Sequence, residues 1–302
     1  MKKSFNQSTT RIVSAGFNEI HCFDESDGKN IDQSVVDSFG EEWAKFHEFD
    51  DIEIDRLGKM YFDIINDKMV NKNTYAIDIG CGTGRWSKYL LDKVGFMEAV
   101  DPSDAIFVAD KLIGPANNIR LSKASTDNIP FNDETFDFAM SVGVLHHIPD
   151  TQKAMNDCVK KVKTGGYFYV YLYYDLENKG FIFKTILKIV TAMRKLISSL
   201  PAIIKKIVCD FIAVSVYMPV ILTGRLLINL GLSKMANKLP LNMYQNQPFY
   251  IIRNDALDRF GTSLEQRFSR RDVQSMMENA GLTEIIIATT LPYWHAVGKR
   301  EK

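Results

Sequence analysis

Disulfides, leader segments and long uncharged apolar runs are scarce in this chain of 302 residues. Its four cysteines include no C-x-x-C pair, which disfavours a disulfide framework and a zinc site and fits a reducing cytosol. The amino terminus lacks the apolar core of a signal peptide. The apolar run after Pro201 has its longest uncharged part at 211–224, which contains Pro219 and is shorter than the ~20 residues that span a bilayer. We therefore expect a cytoplasmic protein without a transmembrane helix.

A net charge is also lacking, because 37 basic and 37 acidic residues balance. The balance hides an asymmetry. Residues 179–238 hold ten lysines and arginines but one acid, Asp210, a net charge of +9, so the other 242 residues must sum to −9. A segment this basic inside a neutral protein requires an explanation.

What the chain does have is an alternation of strands and helices between residues 75 and 174, which implies parallel βαβ units. With 46% hydrophobic residues, the chain can fill one large core and a subdomain. Tyr171 and Tyr173 lie near the carboxyl end of the last of these strands, where open α/β sheets bind ligands. The predicted strands are 75–79, 97–101, 119–123, 136–142 and 166–173.

Three glycines follow the first predicted strand at alternate positions, Gly80, Gly82 and Gly84, and Asp78 lies two residues before them. Glycine permits a tight turn and a close approach of a ligand to the backbone. Dinucleotide-binding turns read G-x-G-x-x-G and place a pyrophosphate at a helix N-terminus. Here the spacing is G-x-G-x-G, and a carboxylate beside the turn suits a cation better than a pyrophosphate. Asp101, which ends the next strand, can accept two hydrogen bonds from a ribose diol.

The pattern D-x-G-x-G-x-G resembles motif I of the class I S-adenosylmethionine-dependent methyltransferases. The resemblance continues in register over residues 73–174: the N-I-P-F segment at 128–131 is similar to the one after the family's third strand, and the L-H-H turn at 145–147 to the one after its fourth. The small-molecule group that contains the quinone-biosynthesis methyltransferases is the most similar. The resemblance implies S-adenosylmethionine as the cofactor, which carries a sulfonium and an ammonium but no phosphate.

The resemblance also implies which residues contact the cofactor. The family usually has an acid at the position of Ser125, where it contacts the adenine amino group. In this chain either a hydroxyl takes that role or Asp127 replaces the acid from another angle. The expected cofactor-binding residues are Asp78, Gly80, Cys81, Gly82, Gly84, Asp101, Pro102, Ser125, Thr126, Asp127 and Ser141.

His146 and His147 are the candidates for catalysis, because the turn after the fourth strand presents groups to the substrate in this fold. Methyl transfer is an in-line displacement, for which alignment can supply roughly 7–11 kcal/mol of the barrier. If the acceptor is a hydroxyl, a general base adds about 10²–10⁴-fold, and histidine can accept a proton near neutral pH. The alternative is that the pair only shapes the turn. Two adjacent histidines without a third ligand do not make a metal site.

The expected fold is α/β: a Rossmann-like seven-stranded sheet whose seventh strand is antiparallel. Residues 1–30 are expected to be rich in loops, and helices at 33–50 and 54–65 form a cap. Two further strands, 282–289 and 293–299, complete the sheet. The predicted division of the chain is 1–72 for the amino-terminal cap, 73–174 for the cofactor-binding core, 175–262 for a large, mainly helical insertion between strands five and six, and 263–302 for the rest of the core.

The insertion contains an amphipathic helix, with Ile186, Val190, Met193 and Ile197 opposite Lys184, Lys188 and Lys195. Three interpretations stay open. The insertion is a structural subdomain, a lid that forms the acceptor pocket, or a surface at 180–238 that docks on an anionic membrane. Its few aromatic residues disfavour nucleic acid as a partner, because base stacking requires exposed rings.

The sequence therefore predicts an S-adenosylmethionine-dependent methyltransferase that acts on a small-molecule or a lipid- or glycan-linked acceptor. Segments 39–43 and 292–298 resemble those of bacterial methyltransferases associated with surface glycan pathways. The alternative is a non-catalytic S-adenosylmethionine-binding scaffold or regulator of the same fold. The expected location is the cytoplasm, or the inner face of the membrane as a peripheral protein. The sequence does not identify the acceptor or the oligomeric state.

Overall fold

A computed structural model describes residues 2–23, 30–43, 50–177 and 180–301. The chain divides into two compact units. Unit 1 comprises residues up to 177 together with those from 264 onward, and unit 2 comprises 178–263.

Unit 1 is built on one mixed sheet of nine strands, in the order β1-β2-β5-β4-β3-β6-β7-β9-β8. Neighbouring strands are parallel except in the pairs β1–β2, β7–β9 and β8–β9. The strands are β1 (Arg11–Ser14), β2 (Glu19–Cys22), β3 (Tyr75–Ile79), β4 (Phe96–Asp101), β5 (Ile119–Lys123), β6 (Phe136–Val142), β7 (Val162–Tyr171), β8 (Leu282–Ile287) and β9 (His295–Arg300).

The helices of both units alternate with or follow these strands. Those of unit 1 are α1 (Gln33–Trp43), α2 (Asp51–Tyr61), α3 (Arg85–Leu91), α4 (Ala105–Ile113), α5 (Thr151–Lys160) and α11 (Arg270–Asn279). Those of unit 2 are α6 (Phe181–Ser198), α7 (Ala202–Ile212), α8 (Met218–Asn229), α9 (Ser233–Ala236) and α10 (Phe249–Gly261). A π-helical turn, Ala213–Tyr217, joins α7 to α8.

The sheet has nine strands rather than the seven that the sequence predicts, and the antiparallel last strand is confirmed in β9. The two additional strands, β1 and β2, lie in a stretch expected to be loop. Each has four residues. The mostly exposed β1 lacks the alternation that reveals a strand, and that of β2 extends over only four residues. They form because β2 pairs with the edge strand β5, which would otherwise present unpaired backbone groups.

The central strands are buried on both faces, as parallel sheets require. All five residues of β3 are buried. Its alternation sends Ile77 and Ile79 into one core cluster and Ala76 into the other, because successive side chains of a strand point to opposite faces. This packing holds the carboxyl end of β3, and the loop that follows, in a defined position.

The predicted cap is seen in part. The helix predicted at 33–50 is present as α1, and residues 44–49 lie outside the described part of the chain. The helix predicted at 54–65 begins earlier, as α2, because the carboxylate of Asp50 accepts a hydrogen bond from the backbone N–H of Ile52 and caps it.

Unit 2 has a helical core of its own. The predicted apolar face of α6 is divided: Ile197 is buried in that core and Val190 packs against it, whereas Ile186 and Met193 are exposed. Apolar residues cover more of the surface of α6 than the predicted face alone. The residues that become buried are therefore not the same set as that face. The buried residues of this core are Ile197, Cys209, Ile212, Ala213, Tyr217, Ile221, Tyr244, Ile252, Ala256 and Phe260.

A continuous helix of 27 residues runs from Ile203 to Asn229 and includes the π turn. By length and composition it could cross a membrane, whereas the sequence prediction counted only the uncharged part, 211–224. One such helix is weak evidence, because core helices of water-soluble proteins pass the same test. Pro219 does not break the helix. It lies two residues after the π segment Ala213–Tyr217, in the first turn of α8, where the wider backbone tolerates a missing N–H donor.

Candidate functional site

The glycine loop between β3 and α3 has three residues in the left-handed region: Gly80, Gly82 and Gly84 have φ angles of 78°, 53° and 79°. At two of them packing also demands glycine. A Cβ on Gly80 would lie 2.6 Å from Val144, and one on Gly84 would lie 2.9 Å from Ala109. A Cβ on Gly82 would meet nothing within 4 Å. Gly82 is therefore the point of the loop that a ligand can approach.

Asp101 at the end of β4 is joined directly to this loop. Its Oδ2 accepts a hydrogen bond of 2.8 Å from the backbone N–H of Gly82. Its Oδ1 accepts two from Ser103, at 2.8 Å from the backbone and 2.6 Å from the hydroxyl. Burial raises the pKa of Asp101, and the hydrogen bonds from Ser103 and Gly82 oppose that rise. Because a carboxylate oxygen can accept two hydrogen bonds, Oδ2 keeps one acceptor position beside Gly82.

Asp78 is buried under the same loop. Its Oδ2 accepts a hydrogen bond of 2.7 Å from the hydroxyl of Ser87 in α3. Burial raises the pKa of Asp78 to about 7, and the charge of Asp101 adds to the rise while the hydroxyl of Ser87 lowers it. Asp78 therefore ties β3 to α3 and lies near the midpoint of its titration at neutral pH.

The turn at 124–128 is brought next to Asp101 by a hydrogen bond of 3.2 Å from the N–H of Ala124 to the Asp101 carbonyl. Ser125 and Thr126 are buried. The Ser125 hydroxyl donates to Oδ1 of Asp127 at 2.5 Å. Ser125 and Asp127, the two candidates for the adenine contact, are thus hydrogen-bonded to each other, and the serine hydroxyl already donates its proton to Asp127.

Three other predicted residues have structural contacts. The thiol of Cys81 is buried in a core cluster, which raises its pKa well above the usual range, and its N–H donates to the Val100 carbonyl. Pro102 is half-buried after Asp101. The hydroxyl of Ser141 donates to the Ile79 carbonyl at 2.9 Å and so joins the ends of β6 and β3.

His146 lies fully buried in the 3₁₀ turn Leu145–His147. Its ring stacks on Tyr173, with centroids 3.9 Å apart. Neither ring nitrogen has a hydrogen-bond partner among the described residues. Burial lowers the pKa of His146 well below its usual value, and the neighbouring His147 adds to this. His146 is therefore a neutral, apolar-like ring and a weak base.

His147 differs from its neighbour. Its Nδ1 lies 2.7 Å from the carbonyl oxygen of Leu264. Since a carbonyl only accepts, Nδ1 carries the proton, and in the neutral ring Nε2 is the nitrogen with a lone pair. A partner that sets the tautomer in this way is typical of histidines that accept protons. The sequence could not separate the two histidines, because Leu264 is more than one hundred residues away.

Residues 77–170 match the family model described as "Methyltransferase domain". The match contains the glycine loop, Asp101 and the histidine turn. The chain carries a class I S-adenosylmethionine-dependent methyltransferase domain. S-adenosylmethionine is the cofactor of this domain.

Two curated methyltransferases show the same domain at low identity. Sterol 4-C-methyltransferase strm-1 of Caenorhabditis elegans is 29% identical over 132 residues, which are 41% of this chain and 40% of that protein. The demethylmenaquinone methyltransferase of Staphylococcus aureus is 29% identical over 107 residues, 34% of this chain and 44% of its own. The chain thus spans less than half of the length of these relatives.

Solved structures are more distant. The S-adenosylmethionine-dependent methyltransferase of Mesorhizobium loti is 18% identical and covers 40% of this chain and 56% of its own, with a TM-score of 0.35. A Bacillus halodurans protein assigned as a methyltransferase is 14% identical and covers 78% of this chain and 72% of its own, with a TM-score of 0.47. Likenesses at these scores carry no argument about the chain.

The residues of the methyltransferase domain fit its cofactor. The space beside Gly82 and the remaining acceptor position on Asp101 lie together, as contact with a ribose requires. Asp78 and Asp101 place two carboxyls within electrostatic reach of each other, which suits a ligand with two positive groups better than a phosphate. In the described part of the chain, no cluster of three or more histidine, cysteine, aspartate or glutamate side chains could hold a metal ion.

The domain also has an aromatic and cationic wall that sequence reasoning foresaw only at Tyr171 and Tyr173. The rings of Tyr61 in α2 and Tyr171 meet edge to face, with centroids 5.1 Å apart, and the guanidinium of Arg85 lies 4.3 Å from the centre of the Trp86 ring. Burial lowers the pKa of Arg85, and the neighbouring Tyr61 opposes this. Arg85 directly follows the glycine motif in the sequence. A cation at that position is the feature from which its place in the wall could have been predicted.

Proposed function

We propose that this protein transfers the methyl group of S-adenosylmethionine to a small-molecule acceptor or to one linked to a lipid or a glycan. The observation that carries the proposal is the contact between Asp101 and the N–H of Gly82 at the open point of the glycine loop. It supports the proposal because a carboxylate able to accept hydrogen bonds from a ribose lies beside backbone that a ligand can approach.

The proposed roles of the binding residues follow from their contacts. The cofactor, when bound, supplies an activated methyl group on a sulfonium. Asp101 accepts hydrogen bonds from the ribose hydroxyls through the free position of Oδ2. Asp78, ionised in the presence of a cation, orients the loop through Ser87 and attracts the ammonium group. Ser125 and Asp127 hold the turn against which adenine lies. The effect of all these contacts is alignment, which is the main requirement of an in-line transfer.

We assign the general base to His147 and a packing role to His146. The Leu264 carbonyl fixes the proton on Nδ1 of His147, so Nε2 can take a proton from an acceptor hydroxyl. His146 has a lowered pKa and no polar partner in the described chain, which makes it the weaker base. The segment that supplies Leu264 is held over the turn, because the N–H of Gln266 also donates to the His146 carbonyl at 2.9 Å.

From the relatives we take only the general class of the acceptor, a small molecule. Their names state a sterol and demethylmenaquinone as substrates, both of them small molecules. The wall of Tyr61, Tyr171 and Tyr173 is consistent with a flat or ring-containing acceptor. The location that we propose is the cytoplasm or, for a peripheral protein, the inner face of the membrane.

Calorimetry with S-adenosylhomocysteine tests the cofactor site. We expect binding by the wild type and a loss of about tenfold or more in Asp101→Asn, with Asp104→Asn, an exposed neighbour, as the control. Incubation with methyl-labelled S-adenosylmethionine and a lipid or metabolite extract then tests transfer. Binding without any labelled product would favour the non-catalytic scaffold, and absence of binding would refute the proposal altogether.

A further inference from the structure

Unit 2 has an exposed apolar surface that unit 1 lacks. Within the described chain, eighteen of the twenty-four exposed large hydrophobic side chains belong to unit 2, although it is the smaller unit. Exposed patches of this extent indicate an interaction surface, whereas scattered single residues do not.

The outer face of the helix Ile203–Asn229 forms the centre of this surface. Ile207, Phe211, Val214, Leu222 and Leu226 are 63%, 69%, 57%, 51% and 58% exposed. Only 33% of the most apolar window of this helix is buried, which is unlike a core helix. We call these five residues the outer stripe.

The π turn keeps the outer stripe on one side. An ordinary helix advances about 100° per residue, so a stripe with a repeat of four residues drifts around it. The extra residue in the turn Ala213–Tyr217 sets the following residues back by about the same angle. Leu222 and Leu226 thereby return to the side of Ile207 and Phe211. The buried stripe is realigned in the same way and continues to face the core of unit 2.

Three polar side chains of the helix are satisfied by backbone carbonyls. The hydroxyl of Ser215 donates to the Phe211 carbonyl at 2.6 Å, and that of Thr223 donates to the Pro219 carbonyl at 2.8 Å. Arg225 donates through Nε to the Gln245 carbonyl at 2.6 Å. Backbone and hydroxyl groups that are satisfied internally can enter an apolar medium.

Exposed lysines directly precede four exposed apolar residues of unit 2, which are Ile189, Leu196, Ile207 and Met235. These lysines are Lys188, Lys195, Lys206 and Lys234. In the described part of the chain none of these four takes part in a salt bridge. Segment 179–238 carries a net charge of +9. An apolar face with unpaired lysines matches the boundary of a bilayer that contains anionic lipids.

We propose that the outer stripe inserts into one leaflet of an anionic membrane, with the helix Ile203–Asn229 in the plane of the interface. This orientation explains the charges better than a membrane-spanning one. The opposite side of the helix packs on α10, and Asp210 forms a salt bridge there with Arg253. A spanning helix would carry that pair and Arg259 into hydrocarbon, where charged groups are strongly disfavoured.

A second copy of the chain is the less suitable partner for this surface. A symmetric dimer brings the same patch of both subunits together. A dimer of this kind would therefore place two segments of charge +9 against each other. An anionic lipid surface instead attracts the positive charge of the segment. The inference goes beyond methyl transfer and does not depend on it, because vesicle binding is measured without cofactor or acceptor.

Flotation of the purified full-length protein tests the proposal, with vesicles of phosphatidylcholine containing 30% phosphatidylglycerol and with pure phosphatidylcholine. We expect the wild type to float with the anionic vesicles and at least tenfold less protein to float in the variant Ile207→Gln, Phe211→Gln, Leu226→Gln. Ile52→Gln, which removes an exposed apolar residue of unit 1, serves as the matched control and should float as the wild type does. A wild type that stays in the bottom fraction overturns the proposal.

Nitroxide labels at Val214→Cys and Leu226→Cys distinguish the two orientations, and the native cysteines of the described chain are buried. Equal depths just below the headgroups are expected for an in-plane helix. A spanning helix would separate the two labels by about 18 Å along the membrane normal, roughly the hydrocarbon thickness of one leaflet. Clearly unequal depths would therefore show a spanning helix and refute the in-plane arrangement. A wild type that is dimeric by sedimentation, with a monomeric triple variant and no vesicle binding by either, would show that the stripe joins two copies.

Discussion

At the scale of single residues, the site depends on how burial changes a few polar groups. Asp78, Asp101 and His146 are all buried and all have shifted pKa values. Burial brings Asp78 close to neutrality, with a pKa of about 7. Its ionisation is therefore linked both to folding and to the binding of a cation.

The stability of the protein should depend on pH through Asp78. The folded protein keeps this proton up to about pH 7, whereas the unfolded chain loses it near 3.8. Between these values the unfolded state binds fewer protons, so the free energy of unfolding falls as pH rises from about 4 to about 7 and is level above. We expect Asp78→Asn to lack this decline, and its stability relative to the wild type to be higher at pH 8 than at pH 5 by about 3 kcal/mol, because only the part of the decline above pH 5 enters the comparison. Urea denaturation at both pH values measures this, and parallel profiles would contradict it.

Gly82 and Gly84 should respond differently to alanine. Both have positive φ angles, so each substitution strains the backbone by roughly 1–2 kcal/mol. Gly84→Ala additionally forces its Cβ against Ala109 and should mainly lower stability. Gly82→Ala places a methyl group in open space and should mainly weaken cofactor affinity, by about tenfold or more. Denaturation and calorimetry of both variants separate the effects, and equal affinities would refute the assignment of Gly82.

The two histidines should also separate. His147→Gln removes the oriented base and should lower kcat about 10²–10⁴-fold if the acceptor is a hydroxyl, with little change in cofactor affinity. His146→Phe replaces a buried ring without polar partners in the described chain. The free energy of unfolding should therefore increase, or decrease by less than about 1 kcal/mol. The measurements are single-turnover rates and denaturation. If kcat falls further in His146→Phe than in His147→Gln, the roles of the two histidines are the reverse of those proposed.

At the scale of elements, the strands β4 and β5 are joined by a buried ion pair. Glu98 and Arg120 are 0% and 7% exposed, with Nη2 and Oε1 2.7 Å apart. Burial raises the pKa of Glu98, and Arg120 opposes the rise. The hydroxyl of Tyr75 on β3 also donates to Glu98 at 2.6 Å. The pair thus links three adjacent strands below the cofactor site.

Breaking this pair should be more harmful than removing it. Arg120→Met leaves the Glu98 carboxylate buried without its counter-charge, which we expect to cost about 3–5 kcal/mol of stability. The double variant Glu98→Gln, Arg120→Met should recover at least half of that loss. Chemical denaturation of the single and double variants measures the coupling, and additive effects would show that the pair contributes nothing as a unit.

At the scale of the whole molecule, the chain forms two units, and it leaves unit 1 after residue 177 and returns to it at residue 264. Tyr174 pairs with Phe268 in a β-bridge, and the N–H of Asp175 donates to the Phe268 carbonyl at 3.1 Å. Unit 1 therefore closes the base of the insertion with its own backbone.

Replacing residues 178–263 by a short glycine-serine linker should leave unit 1 folded. We expect the shortened protein to bind S-adenosylhomocysteine with an affinity within about threefold of the wild type and to lose flotation with anionic vesicles. A shortened protein that is folded by circular dichroism but still floats would place the membrane contact elsewhere.

The sequence alone determined the parts that depend on local chemistry. The glycine spacing, Asp78 and the acid that ends the next strand identify a nucleoside-binding turn because each requirement acts within a few residues. Burial on both faces makes β3 and β6 recognisable from the sequence, since their mainly apolar runs need no distant partner. The charge of segment 179–238 is likewise visible in the sequence.

Only the tertiary structure decided what depends on distant neighbours. Strands β1 and β2 exist because β5 offers them an edge, which no local pattern records. His146 and His147 are adjacent and equivalent in the sequence, and they differ because Leu264 folds back onto one of them. The outer stripe arises because a π turn realigns two halves of a helix whose residues are apolar nearly all round. Hydrogen bonds and burial act through space, so residues that are alike in sequence become different once the chain surrounds them unequally.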